Sequence, residues 1–347
     1  MTRTLRLGAV QAEPVWQDLE AAVEKTILLI KEASEKGVHV LGFPEVWITG
    51  YPWAIWSRPA VHNAMFAEKY IANSMGRDSP EMKRIQTACK EAQIFVILGY
   101  SEREGQSIYI TQSFISPAGE ILHTRRKIKP THVERSLWGD GQGDSLTTVV
   151  TTPSSQLPLD SPLENMKIGG LNCWENIQPL LRYYCYSQGV QVHVAGWPPF
   201  PAHPRDCEIP TPYHNTAEAN YRISQNAAME GQMFVICTTQ VLTEKYHELL
   251  GLKDLGLFPR TGGAGGFAMI FGPDGSELVE PLPPGEEGIL VAEIPDYEQK
   301  IRLAKHMCDP VGQYSRPDML SLRVNPVKAE CVTFTSPREM KDVKGVI

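Results

Sequence analysis

Three side chains in this 347-residue chain combine types suited to nucleophilic chemistry with places at the ends of strand-like runs. The first is Cys173. It closes the apolar run Lys167-Ile168-Gly169-Gly170-Leu171-Asn172, and a helix-like segment follows. A thiol at a helix N-terminus meets partial positive charge, which favours the nucleophilic thiolate. Packing is the competing use, since a free cysteine behaves as a small buried hydrophobe. The second is Glu45, directly after a strand-like run over 38–43. Beside Phe43 and Trp47 its carboxylate would be desolvated, which raises its proton affinity and suits a general base. An exposed loop glutamate is the alternative. The third is Lys127 in Arg125-Arg126-Lys127-Ile128. Strand alternation can turn it inward while its neighbours face out. An inward ammonium can clamp a nascent anion, whereas a solvated basic face is the plainer reading. Glu134, a little further on, can orient that lysine or act on water.

The elements that must position these groups follow from periodicity. Residues 5–11 read as a buried strand. Residues 18–36 read as a helix with Leu19, Val23, Ile27 and Ile30 on one face and Gly37 as its stop. A strand over 38–43 leads to Pro44-Glu45. Ser79 fits an N-cap and Pro80 a first turn, opening a helix with Met82, Ile85, Cys89 and Ala92 as its stripe. A strand at 94–100 precedes a hairpin, 107–116 and 121–126, around Pro117-Ala118-Gly119-Glu120.

The second half repeats this order: a strand at 168–172, a helix at 177–188, a strand at 190–196, a helix at 216–230 and a strand at 234–239. A hairpin, 267–271 and 277–280, ends it. GVHVLGFPE (37–45) parallels GVQVHVAGWPP (189–199), and ISPAGEIL (115–122) parallels FGPDGSEL (271–278). A doubled β-α-β-α-β-β unit predicts an α/β fold, a four-layer α-β-β-α sandwich with an internal two-fold repeat. Residues 1–326 read as one domain and 327–347 as a tail. Two insertions break the repeat: 140–165, rich in Ser, Thr, Pro and Gly, and 197–214, with six prolines. Long loops in compact domains are often functional. The second begins at a central strand end, where ligands sit in open α/β sheets, so a pocket wall is expected there.

Composition narrows the function. The chain is 42% hydrophobic, 21% charged and carries a net charge of −7 with no Lys/Arg block, so no nucleic-acid partner is expected. No apolar run approaches the ~20 residues of a membrane span, and no signal-peptide core follows Met1. Seven cysteines without CxxC spacing read as reduced thiols in a cytoplasmic protein. The nine histidines show no metal-ligand spacing. A G-x-S-x-G elbow is absent. The glycine-rich 261–266 lacks the GKS/T ending and following helix of a phosphate loop.

Phe43-Pro44-Glu45, Arg126-Lys127 and Asn172-Cys173-Trp174-Glu175-Asn176 occur in that order, each at a strand end. Together they resemble the nitrilase superfamily, over roughly 5–326, including Trp197-Pro198 and Pro317-Asp318. Cys-Trp-Glu-Asn and the run Lys129-Pro130-Thr131-His132-Val133-Glu134-Arg135 are similar to the true nitrilase branch. The whole chain looks most like fungal arylacetonitrilase-type enzymes, with cyanide hydratases as near relatives that usually carry His in place of Asn176. The resemblance implies that Cys173 is the nucleophile, Glu45 the general base, Lys127 the anion stabiliser and Glu134 a supporting carboxylate. The Trp174 N–H would join Lys127 around the reacting atom. It also implies the sandwich fold, no cofactor and no metal. Homo-oligomers are expected too, as dimers that build spiral assemblies.

The implied substrate is a small-molecule nitrile. An arylacetonitrile, giving acid, ammonia and some amide, is expected first. Hydrogen cyanide to formamide and aliphatic nitriles come next, and amides or an inert filament-forming protein last. Tyr51, Trp53, Trp56, Trp174 and Trp197 would line an aryl pocket, with Asn176 nearby; core packing is the alternative for each.

Overall fold

A computed structural model describes residues 4–57, 59–202, 212–252, 264–330 and 332. Strand β1 (Leu5–Ala12) leads into helix α1 (Leu19–Glu35), where Asp18 accepts the Ala21 N–H at 3.0 Å as N-cap. Strand β2 (Val40–Gly42) is followed by two short helices, α2 (Ala54–Ser57) and α3 (Ala64–Ala72). Helix α4 (Pro80–Ala92) starts at Ser79, whose hydroxyl accepts the Met82 N–H. Strands β3 (Phe95–Glu104), β4 (Ser107–Ile115) and β5 (Ile121–Arg126) form an antiparallel meander. The second half runs β6 (Val149–Thr151), β7 (Lys167–Asn172), α5 (Pro179–Ser187), β8 (Val192–Trp197), α6 (Ala217–Gly231) and β9 (Phe234–Leu242). It closes with β10 (Ala264–Gly265), β11 (Met269–Phe271), β12 (Gly288–Ile294) and α7 (Tyr297–Cys308).

Hydrogen bonds run continuously in the order β5-β4-β3-β2-β1-β9-β8-β7-β6. Along this order the two halves meet where β1 pairs with β9, at Gln11↔Thr239 and Ala12↔Gln240. Burial shows how the halves stack. In each strand, alternate side chains enter different clusters, as the two-residue strand period requires. Val40, Ile97 and Phe114 pack against Val194, Ile236 and Ile270 between the two halves. Leu41, Val96 and Leu98 point the other way, onto Val23 and Ile30 of α1 and Ile85 and Cys89 of α4. Ala195, Val235 and Cys237 face Cys185 of α5 and Ala227 and Ala228 of α6. The layers are therefore helix, sheet half, sheet half, helix. Each fully buried Leu, Ile, Val or Phe in the central layer contributes about 1.5–3 kcal/mol.

Two features depart from the sequence reading. Residues 277–280 form no strand, only an isolated bridge between Phe271 and Glu277. The chain instead returns as β12, which crosses to the first half and pairs antiparallel with β1 from Leu5↔Ile294 to Gln11↔Gly288. The segment after Cys173 is a short 3-10 turn, Cys173–Ile177, and the α-helix opens only at Pro179. The glycine-rich 261–266 lies partly outside the described residues, as do the six-proline insertion and most of the tail.

Candidate active site

Glu45 is fully buried in the loop that leaves β2. The side-chain amide of Gln240, on β9, donates to the Glu45 carbonyl at 2.6 Å and to the Val46 carbonyl at 3.2 Å. Lys127 follows β5 directly; its N–H reaches the Ile110 carbonyl at 2.7 Å, which continues the strand pairing and keeps the side chain inward. Glu134 sits in a 3-10 turn, His132–Ser136, capped by Thr131. Cys173 opens the turn that ends β7. Each of these loops holds a non-glycine residue in the left-handed region: Val46 at φ +49°, His132 at +48° and Cys173 at +47°. Such conformations cost roughly 1–3 kcal/mol and gather where geometry is functional.

The Lys127 ammonium donates to Glu45 Oε1 and to Glu134 Oε2, each at 2.9 Å. Glu134 also accepts the Thr131 N–H at 2.6 Å and the Tyr51 hydroxyl at 2.9 Å, and Tyr51 in turn accepts the Trp56 indole N–H at 3.0 Å. Glu45 Oε2 is buried with no protein partner. It is the oxygen of the cluster left free to take up a proton.

Burial raises the Glu45 pKa to about 8, against the opposing pull of Lys127 and with the Glu134 charge adding to it. Burial alone would lower Lys127, but Glu134 and Glu45 outweigh it and hold the ammonium well above its ordinary range. The Cys173 thiol is pushed up by burial and by the Glu45 charge, while Lys127 and the Trp174 N–H pull it down. The resting group is thus a thiol. The helix-terminus argument for a thiolate does not hold, because the α-helix starts beyond the turn. Moving the Cys173 proton to Glu45 leaves the net charge of this dry cluster unchanged, so proton transfer is the inexpensive route to thiolate.

A cavity of about 380 Å³ opens onto Cys173 and Glu134. Tyr51, Trp53, Trp56, Trp174 and Phe200 supply its aromatic walls, and Thr131, His132, His214 and Asn215 its remaining polar groups. Pro198, Pro201 and Pro212 also line it, so the described part of the six-proline insertion is a pocket wall.

Two expected substrate contacts, Trp197 and Asn176, lie outside the cavity lining. Trp197 is fully buried in the outer core, donates to Ser224 Oγ at 2.9 Å and does not line the cavity. It ends β8 on the helix-facing side, so strand alternation turns it from the ligand. Asn176 also lies outside the cavity lining. Its amide N–H groups donate to the carbonyls of Cys173 at 3.0 Å and Leu171 at 3.3 Å, and its Oδ1 meets His193 Nε2 at 2.9 Å. Since the amide nitrogen is committed to carbonyls, His193 must donate from Nε2. Burial, with nearby Arg125 acting in the same direction, lowers the His193 pKa to about 3, so the ring is neutral.

The sequence reading missed His132, His214, Asn215 and Phe200 as cavity residues; only the proline-rich insertion, 197–214, pointed toward Phe200 and His214. It also missed the buried Arg125–Glu175 pair, bonded at 2.7 and 2.6 Å. Among the described residues, no group of three or more His, Cys, Asp or Glu could hold a metal ion, and no helix is long and apolar enough to cross a membrane.

The fold and site define a class: four-layer α/β proteins with a thiol, an ammonium and two carboxylates gathered where both sheet halves end. The carbon-nitrogen hydrolase family pattern matches residues 6–302, and the chain belongs to that family, in its nitrilase branch. It is 53% identical over 333 residues to a nitrilase of Talaromyces marneffei, across 96% of this chain and 99% of the relative. It is 44% identical to a cyanide hydratase of Armillaria gallica, across 99% and 92%. Among solved structures, an amidase of the nitrilase superfamily from Nesterenkonia shares the fold with a TM-score of 0.56 and 18% identity, across 87% of this chain and 96% of that one.

Proposed function

We propose that this chain is a nitrilase that converts organic nitriles, arylacetonitriles foremost, to carboxylic acid and ammonia. The observation that carries the reading is the Glu45–Lys127–Glu134 cluster beside Cys173 in an aromatic cavity. Glu45 takes the Cys173 proton and the sulfur attacks the nitrile carbon. The nitrogen gains that proton from Glu45, giving a thioimidate, while Lys127 and the Trp174 N–H stabilise the developing negative charge. Water adds, with Glu45 as base, to form a tetrahedral intermediate. Loss of ammonia leaves a thioester, which a second water cleaves to the acid and the free thiol. Loss of the thiol instead releases an amide. Glu134 holds Lys127 in place throughout. No cofactor enters the scheme.

A cavity of about 380 Å³ falls in the usual range of about 300–1,000 Å³ for small-molecule sites. Its aromatic walls suit an aryl ring and exceed what a three-atom substrate fills. The relation to a cyanide hydratase favours a second reading, cyanide to formamide. The deciding assay measures acid and ammonia from phenylacetonitrile and formamide from cyanide, with Cys173→Ala as control. Acid and ammonia, lost in the variant, support the nitrilase reading; formamide with little aryl turnover moves the chain to the second. Nitrile turnover by Cys173→Ala sinks both.

The catalytic domain in this reading is 1–326, with 327–347 a tail. The enzyme works as a homo-oligomer of dimers that extend into spirals. A cytoplasmic setting agrees with Cys89, Cys173, Cys185, Cys237 and Cys308, all free thiols.

A further inference from the structure

Lys127 and Cys173 must sit at a fixed separation, yet no strand ladder sets it. Lys127 follows β5, at one end of the hydrogen-bonded strand order, and Cys173 follows β7, next to the other end. Only face-to-face packing of the two halves brings them together, and apolar packing is non-directional. Something directional is needed: Gln112 on β4 makes a long bond to the Leu171 carbonyl at 3.5 Å, and one side chain makes shorter ones. The buried Glu175 carboxylate accepts the Ile128 N–H at 2.9 Å through Oε1 and the Asn172 N–H at 3.0 Å through Oε2. Ile128 is the residue after Lys127; Asn172 is the residue before Cys173. Arg125, fully buried, grips the same two oxygens at 2.6 and 2.7 Å. It also reaches the Ser145 carbonyl and Gln112 Oε1, each at 3.3 Å. Charge-assisted, bidentate bonds of this kind are both strong and geometrically exacting.

We propose that Glu175 is a positioning residue: its one carboxylate clasps the backbone beside Lys127 to the backbone beside Cys173 and so sets the spacing of ammonium and thiol. The proposal rests on the reading that those two groups act on the substrate. Glu175 itself lines no part of the cavity around Cys173. Consistent with a clasp that stays charged, its pKa is low: burial would raise it, but Arg125 and the two backbone N–H groups win.

The test is Glu175→Gln in the full chain. The side chain keeps its shape, but an amide N–H₂ replaces one accepting oxygen. The expected result is a fall in kcat of about 100-fold, with KM changed by less than about threefold, counted per Cys173 that iodoacetamide can alkylate. Glu175→Asp, which keeps the charge, recovers part of the loss. Because Glu175→Gln leaves Arg125 buried without a counter-charge, it can unfold for that reason alone. The double variant Arg125→Met, Glu175→Gln removes this cause and still lacks the clasp, so the same loss in kcat is expected. A purely structural role would lower the number of alkylatable sites and leave kcat per site unchanged. Wild-type kcat per site in a folded variant therefore overturns the proposal. If the wild-type protein turns over no nitrile, the alkylation rate of Cys173 at pH 7 still reads the clasp. A rate about tenfold slower in the variants supports it, because the thiol has lost its ammonium, and an unchanged rate rejects it.

Discussion

Glu45 holds a proton near neutrality although an ammonium lies 2.9 Å away. Desolvation wins because the residue is wholly enclosed and Lys127 divides its charge between two carboxylates. To act as a base Glu45 must be ionised, and its ionised fraction falls about tenfold per unit below its pKa of about 8. We expect kcat/KM to fall on the acid side of about 8 for that reason; a flat profile from about pH 6 to 8 would remove Glu45 as the base. Stability carries the same signature. Between the ordinary carboxylate range and pH 8 the native state keeps a proton that the unfolded chain has released, so this residue's contribution weakens as pH rises through the window. The urea midpoint of the wild type should therefore lose ground to that of Glu45→Gln between pH 5.5 and 8; parallel midpoints would argue against the raised pKa. The residue types at this site were readable from the sequence because strand ends announce themselves by abrupt change of pattern. Their charge states were not, since desolvation depends on what lies across the site from each group.

The loops that carry Glu45 and Lys127 lie against backbone that only glycine permits. A Cβ at Gly99 of β3 would stand 2.1 Å from the Pro44 carbonyl oxygen, and one at Gly141 would stand 2.8 Å from that of Lys127. Gly99→Ala should push the Pro44–Glu45 backbone off its seat, destabilise the fold by about 1–3 kcal/mol and cost about 100-fold in kcat. Gly76→Ala, whose nearest contact would be 3.4 Å away, serves as the control. Urea melts and kcat for the pair check this; equal behaviour of the two variants would mean that the close approach has no consequence. The helices α1 and α4 were legible to within a residue or two, because Asp18, Ser79 and Pro80 mark their starts locally. The helix expected over 177–188 forms as α5, but a 3-10 turn separates it from Cys173. In that turn Asn172 and Glu175 imitate a helix start, whereas Pro179, which marks the true one, lies a turn further on.

At the scale of the molecule, the apolar layer between the sheet halves holds the two ends of the strand order together. The surface of α5 leaves Leu180 69% exposed on a groove shared with Tyr184, Trp174 and Leu322 of the extended C-terminal segment. Under the homo-oligomer proposed above, a second copy of the chain is the groove's occupant. Leu180→Glu should place a buried charge at such a contact and reduce the mass measured by light scattering. An unchanged mass at equal concentration would move the interface elsewhere.

The sequence alone determined the repeat, the four layers, and the identity of Cys173, Glu45, Lys127 and Glu134 as the side chains to examine. The repeat and the layers follow from local pattern, through periodicity, caps and turns. Cys173, Glu45 and Lys127 stand at abrupt strand ends, and the roles of all four side chains rest on the resemblance to the nitrilase superfamily. The tertiary structure decided which groups meet, and where β12 returns to pair with β1. It turned Trp197 into core and Asn176 into a brace for the Cys173 carbonyl. It also set the Cys173 thiol and the Glu45 carboxyl above their ordinary pKa values. Burial and the approach of charges from distant segments decide these properties, and both arise only when the two halves of the chain close on each other.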